Sequence, residues 1–289
     1  MLTTMHSARP ATLFSFGQSR CGPWPHGGRP AGGKIMDPLK GTPWSEASTV
    51  AGFAQSPPNA TLMRFAAEER SAGKTRLLDI GCGAGRNAVP LAAQEWTVTG
   101  LDLSWRMLLG AAERARSEAI PRPLFLAMAA MEQLPVRSAS MDLIVAHGIW
   151  NLARSAMQFR TAVREAARVA RPGAALFLFT FSRTTLPPDV VPVAGEPFVF
   201  TEFSGSPQCF LTADQLIGEL GDAGFLPDPA VPLTEHNRPR PGAWRVGGPP
   251  VIFEGAFRYG GRDGPRSAKI RPCACRRHPE NQDGEPNTS

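Results

Sequence analysis

Apolar and polar positions along the chain switch repeatedly between a period near two and a period near 3.6, so strands and helices are predicted to take turns. Residues 75–80 read as a strand running into a glycine-rich loop, 86–95 as a helix and 97–101 as the next strand. Ser104 is placed to cap a helix reaching to about residue 118, and residues 123–127 and 141–146 follow as strands. Phe159, Val163, Ala166 and Ala170 fall at i, i+4, i+7 and i+11, one face of a helix that Pro172-Gly173 should end. A strand at 175–181 is followed by a helix opened by Thr212 or Ala213 and closed near 223–224. A weak strand at 225–231 and a strong one at 251–257 complete the series. Strands alternating with helices predict an α/β fold, a seven-stranded, mostly parallel sheet with helices on both faces.

Composition narrows the class. The chain has 289 residues, 42% of them hydrophobic, and no apolar run approaches 18 residues, so neither a membrane span nor a membrane partner is expected. Five cysteines, at positions 21, 82, 209, 273 and 275, form no disulfide framework, which points to a reduced, cytoplasmic setting. The net charge of +6 sits in the ends: +4 in residues 1–36 and +2 in 262–289, leaving 37–261 neutral. A neutral core gives no basic footprint for nucleic acid, and none is expected as a partner. Residues 1–36 read as a disordered extension, 37–261 as the folded domain and 262–289 as a disordered tail. The acid-free start is open to two readings, an organelle-targeting segment or a dispensable extension. Cys273, Cys275 and His278 make an incomplete zinc set, so no metal is expected.

The chemistry concentrates in Asp79-Ile80-Gly81-Cys82-Gly83-Ala84-Gly85. The glycines allow turns that a Cβ would hinder and let a ligand approach the backbone. Asp79, at the strand end, suits a cationic amino group or the bracing of the loop. Asp102 ends the next strand, 17 residues after Gly85, where a carboxylate accepts from both hydroxyls of a ribose. Taken singly, the loop has a tight turn as its lesser reading, and Asp102 a helix cap. A nicotinamide dinucleotide would ask for G-x-G-x-x-G, but here Arg86 stands at the third-glycine position.

These residues, with Met131-Glu132-Gln133-Leu134-Pro135, Met141-Asp142-Leu143-Ile144-Val145 and the stretch 168–175, resemble the successive motifs of the class I S-adenosylmethionine-dependent methyltransferases. Within them the chain is similar to the small-molecule branch with the type 11 or type 25 domain. The resemblance covers about residues 45–260. It implies a Rossmann-like fold and S-adenosyl-L-methionine as cofactor. It also implies cofactor contacts from Asp79, Gly81, Cys82, Gly83, Gly85, Asp102, Leu103, Ala130, Met131 and His147. Gly81 and Gly83 would meet the methionine moiety through backbone, Asp102 the ribose, and Leu103 the adenine. Ala130 departs from the pattern: many relatives carry an acid there for the adenine amino group, so selectivity would rest on packing, on the Met131 backbone or on Glu132.

The acceptor side carries no motif, and in-line methyl transfer does not require one, since positioning and water exclusion supply much of the rate. His147, after the fourth strand, reads either as a base or as a strand-end histidine bonded to backbone. Trp150 reads as an acceptor-pocket wall or as ordinary packing. Arg183, Arg238 and Arg240 would make one mouth electropositive for an anionic acceptor, or else be solvated. Trp44 and residues 50–53 are expected to form a lid. The sequence thus predicts methyl transfer to a small molecule, with a cofactor-binding protein of other chemistry, or a regulator, as the alternative.

Overall fold

The computed structural model describes residues 12–13, 37–238 and 249–261. In chain order the elements are β1 (Thr12–Leu13), a short 3-10 turn (Pro43–Ser45), α1 (Ala47–Gln55), α2 (Ala60–Ser71), β2 (Arg76–Ile80), α3 (Ala88–Ala93), β3 (Thr97–Asp102), α4 (Trp105–Ser117) and β4 (Leu124–Met128). Then come β5 (Met141–His147), α5 (Ala156–Val169), β6 (Ala170–Phe181), a small hairpin of β7 (Val199–Phe200) and β8 (Gln208–Cys209), α6 (Ala213–Asp222), β9 (Phe225–Pro227), β10 (Thr234–His236) and β11 (Ile252–Tyr259).

The main sheet runs β1-β4-β3-β2-β5-β6-β11-β10, with β9 also pairing β11. Its strands are parallel except that β11 runs against β6, β9 and β10. This is the expected doubly covered, mostly parallel sheet, with nine strands rather than seven. Two causes account for the difference. The weak strand expected near 225–231 stops at β9, where Pro227, Pro229 and Pro232 interrupt the backbone donors, and an additional strand, β10, forms beyond it. At the other edge Thr12–Leu13 pair with Phe125 and Leu126, inside the stretch read as an unstructured extension. The remainder of that stretch, the C-terminal tail and its Cys273, Cys275 and His278 lie outside the described residues.

Alternation along the strands divides the core. Leu78, Ile80, Ile144, Ala146, Leu176 and Leu178 face α5 and α6, packing on Phe159, Val163, Ala166, Leu216 and Leu220. Leu77, Leu143, Val145, Ala175 and Phe177 face the other way, onto Leu62 and Phe65 of α2, Val89 of α3 and Leu108 of α4. With both faces covered, the strands read as near-continuous apolar runs. Ser104 caps α4 by accepting from Met107 N, and Thr212 and Gln215 form a reciprocal capping box at α6. One helix ends earlier than its apolar stripe predicts. Ala170 is already in β6, because Ala139 N and Ser140 N bond to the carbonyls of Arg168 and Val169 and draw the chain into the sheet. Among the described residues, no helix is long and apolar enough to cross a membrane.

The strand order reverses between β2 and β5. The crevice above that switch point is where open parallel sheets bind ligands, and the glycine loop leaves β2 there.

Candidate active site

The loop is held from below. Gly81 N and Cys82 N both donate to Leu101 O, at 2.7 and 2.9 Å, so the end of β2 is locked to the end of β3. Gly83 N donates to Asp102 Oδ2 at 2.9 Å, and Ser104 N donates to Asp102 Oδ1 at 2.8 Å. The three glycines do different work. Gly81, Gly83 and Gly85 all have positive φ, +71°, +53° and +81°. A Cβ on Gly81 would stand 2.8 Å from Ile149, and one on Gly85 would stand 2.8 Å from Val89 and 3.2 Å from Ala111. Those two are glycine because protein packs against them. A Cβ on Gly83 would meet only Phe53 of α1 at 3.8 Å and the Met107 sulfur of α4 at 4.0 Å, ordinary contacts without a clash. Phe53 pairs with Trp44, ring centroids 6.0 Å apart, and Trp44 O accepts from Ser104 Oγ at 3.0 Å. The stretch expected as a lid therefore does lie over the loop.

Asp79 is only 2% exposed, and its Oδ2 has no hydrogen-bond partner. Burial, with the Asp102 charge adding to it, pushes its carboxyl up to about 8. An orphaned, desolvated carboxylate beside a glycine loop fits a cationic ligand group, since a cation would satisfy both its missing partner and its charge. Asp102 is also raised, by burial, against the opposing hydrogen bonds from Ser104, Gly83 and Leu103. The Cys82 side chain turns inward beneath the loop, and burial, then the charges of Asp102 and Asp79, raises its thiol well above the ordinary value. Leu103 is 38% exposed, an apolar surface beside Asp102. Ala129 N bonds to Asp102 O, Ala130 O accepts from Gln133 N, and Met131 is buried in the core. Glu132 is directed to Gln158, whose Nε2 donates to it at 3.0 Å. These groups fit S-adenosylmethionine: an acid for its amino group, an acid for its ribose, an uncrowded glycine and an apolar ledge for its base.

The acceptor-side expectations fare differently. His147 stacks on Phe179 at 4.2 Å, and its Nε2 faces Asn59 Nδ2 at 3.3 Å. Burial, then the nearby Arg86 charge, lowers its pKa to about 4. A neutral ring with its Nε2 engaged matches the strand-end histidine rather than the base. Trp150 is fully buried, edge-on to Phe159 at 6.0 Å, so it packs the core and lines no open pocket. Of the three expected arginines, the two described ones are engaged by neighbouring groups. Arg183 donates to the carbonyls of Leu186, Pro187, Pro188 and Val190, and its guanidinium lies 4.9 Å from the Phe200 ring centroid. It holds the loop after β6 together. Arg238 is paired with Glu235 and its side chain is 68% exposed, while Arg240 lies outside the described residues. The electropositive mouth is corrected accordingly: the first guanidinium is consumed locally and the second faces solvent. The segments after β6 carry an aromatic cluster instead. Phe181 meets Phe203 at 5.3 Å and Phe210 at 5.4 Å, and Phe203 remains 42% exposed.

Sequence reasoning missed Asn59, Asn87 and Glu254. Asn59 caps α2 and Asn87 Oδ1 accepts from Asn59 N at 3.0 Å, while the buried Glu254 of β11 accepts from Asn59 Nδ2 at 2.6 Å. Pro58-Asn59 before an apolar-periodic run was a legible cap signal; the partners, 28 and 195 positions away, were not.

Residues 77–173 match the family model for a methyltransferase domain. These residues carry a methyltransferase domain. The chain is similar to the 27-O-demethylrifamycin SV methyltransferase of Amycolatopsis mediterranei, at 32% identity over 57% of this chain and 58% of that protein. It is similar to a ubiquinone/menaquinone biosynthesis C-methyltransferase of Syntrophotalea carbinolica, at 35% identity over 40% of this chain and 48% of that protein. The chain thus spans about half the length of these curated relatives. Among solved structures, a SAM-dependent methyltransferase of Methanosarcina mazei matches the fold with a TM-score of 0.53 at 22% identity, covering 64% of this chain and 92% of that one.

Proposed function

We propose that this methyltransferase domain, residues 37–261, binds S-adenosyl-L-methionine and transfers its methyl group to a small, apolar or aromatic acceptor. The observation that carries the reading is the buried Asp79 Oδ2 without a hydrogen-bond partner, at the entry to a loop whose Gly83 N is held by Asp102. When bound, the cofactor supplies an electrophilic methyl group on a sulfonium. Asp79 would hold the amino group, Asp102 the ribose, and Leu103, Ala130 and Met131 the adenine. Phe53 and Trp44 would exclude water above the loop, which strengthens each electrostatic contact beneath them.

The acceptor class rests on the exposed Phe203 backed by Phe181 and Phe210, and on Arg183 and Arg238 being engaged by Val190 O and Glu235. Aromatic faces take flat or apolar molecules by offset stacking and burial. The two curated relatives are named for small-molecule chemistry, in rifamycin and in quinone biosynthesis, which agrees with that class. His147, neutral with its Nε2 engaged, would wall the acceptor and not deprotonate it. A reduced cytoplasmic setting belongs to the same proposal and is supported by the buried free thiols Cys82 and Cys209. The test is incubation of the full chain with radiolabelled methyl donor and a panel of phenolic, quinol and aliphatic acceptors. Labelled product with stoichiometric S-adenosylhomocysteine is expected from the aromatic members. Cofactor binding without turnover on any member would favour a regulator.

A further inference from the structure

Four segments of the chain converge on Asn59, which lies three residues past the C-cap of α1 and caps α2. Its Oδ1 accepts from Leu62 N at 2.9 Å. That contact fixes which way the amide points, because a backbone N–H demands the oxygen. The nitrogen is then committed to the other side, where it donates to Glu254 Oε2 at 2.6 Å and to His147 Nε2 at 3.3 Å. An amide N–H can face His147 Nε2 only if that atom is a bare lone pair. The imidazole must therefore carry its proton on Nδ1.

The same residue is wired to the cofactor loop. Asn59 N donates to Asn87 Oδ1 at 3.0 Å, and Pro57 O accepts from Arg86 Nε at 2.7 Å. Arg86 and Asn87 directly follow Gly85, and α1, just before the hinge at 56–59, carries the Phe53 that stands over Gly83. The exit of the glycine loop meets the backbone N–H of Asn59, and the end of β5 and the start of β11 meet its side-chain amide, so all three converge on the segment between α1 and α2.

We propose that Asn59 is a positioning residue: it sets His147 as a neutral imidazole protonated on Nδ1, and it ties that setting to the cofactor loop through Asn87. His147 then offers the acceptor a fixed ring stacked on Phe179 and no basic nitrogen. The charged groups around that ring are Arg86 on the loop side and Glu254 on β11. Arg86 disfavours protonation, and Glu254 is held off the ring by sharing the Asn59 amide. Only the coupling half of the proposal rests on the methyltransferase reading; the tautomer is a property of the protein alone.

The experiment is long-range ¹H–¹⁵N NMR of the full chain labelled at histidine, with His147→Gln identifying the signal among the five histidines. Asn59→Ser is the informative variant, since a serine hydroxyl still caps α2 but offers no donor pair to His147 and Glu254. In the wild type, His147 should show Nδ1–H with Nε2 unprotonated, and addition of S-adenosylhomocysteine should shift its Nε2 resonance. In Asn59→Ser, the Nε2–H form should appear, the ring should titrate at least about one pH unit higher, and the ligand-induced shift should vanish. A wild-type Nε2–H tautomer, or a variant with unchanged ring signals and titration, overturns the clamp. A ligand that binds yet leaves His147 unmoved overturns the coupling. Should the ligand fail to bind the wild type, the cofactor reading falls together with the coupling, and the tautomer still decides the clamp. Even if the variant does not fold, the wild-type tautomer by itself supports or overturns the clamp.

Discussion

The two halves of the sheet's carboxyl edge are built by opposite strategies. Above β2 and β3, residues 79–104 supply nearly every group, and the hydrogen bonds that shape the loop join neighbours such as Gly83 and Asp102. Above β5, β6 and β11, the groups come from positions 59, 147, 179, 203 and 254, and the bonds that join them span up to 195 residues. The first half is a motif because one ligand chemistry is met by one short segment. The second half is an assembly, and each of its members alone looks like ordinary packing or an ordinary cap.

Glycine substitutions should break the first half in two separable ways, and these carry the largest effects. Gly85→Val places a branched side chain against Val89 and Ala111 at φ +81° and should cost about 3 kcal/mol or more of stability. Gly83→Ala makes only ordinary contacts with Phe53 and Met107 and should cost little beyond the left-handed penalty, about 1–2 kcal/mol, while cofactor binding is lost. Chemical melts and calorimetry on both variants check the contrast; equal destabilisation would erase the distinction between packed and ligand-facing glycines.

Asp102→Ala should weaken cofactor binding by about 1.5–3 kcal/mol, roughly 10- to 150-fold. It should also lower the melting point, since Gly83 N and Ser104 N lose their acceptor. Asp102→Asn retains one oxygen and should fall between. Unchanged affinity in a folded Asp102→Ala protein would remove this residue from the site.

The raised Asp79 gives the first half a pH signature. Its folded pKa, about 8, lies above the unfolded value of 3.8, so the folded state holds a proton that the unfolded chain has lost. Stability of the free protein should therefore fall as pH rises between those values. A cationic ligand needs the ionised form, so binding below pH 8 should release a proton. Affinity for S-adenosylmethionine should then rise by up to about tenfold per pH unit toward pH 8 and level off above it. Calorimetry across buffers of different ionisation enthalpy measures the released proton directly. A slope that persists unaltered in Asp79→Asn would assign it to another group.

The smallest effect concerns the second half. Arg183→Ala should destabilise the protein by about 1–3 kcal/mol through the orphaned carbonyls of residues 186–190 and the lost Phe200 contact, with cofactor affinity unchanged within about twofold. A variant of undiminished stability that selectively loses an anionic acceptor would restore the electropositive mouth.

What was legible in the sequence follows the same division. Strand and helix alternation, the Ser104 and Thr212 caps and the crevice above β2 could be read because periodicity and capping are local. So could the lid, from Trp44 and Phe53 ahead of the first strand of the cofactor half. Arg183 was misjudged for a physical reason: a guanidinium at a strand end looks the same in sequence whether it meets a ligand or folds back on the carbonyls of its own loop. Trp150 was ambiguous in the same way, since burial of an indole depends on Phe159 in a later helix. Asn59 and Glu254 gave no signal of their partnership, because it exists only once β11 returns beside α2.

The most direct test of the central claim is a calorimetric titration of the full chain with S-adenosylmethionine at pH 8, beside Gly83→Val and Asp102→Ala. One-to-one saturable binding by the wild type, abolished in Gly83→Val and weakened at least about tenfold in Asp102→Ala, is the expected result. A wild-type chain that is folded by circular dichroism and gives no binding heat at two temperatures, or a Gly83→Val chain that binds as the wild type does, would contradict it.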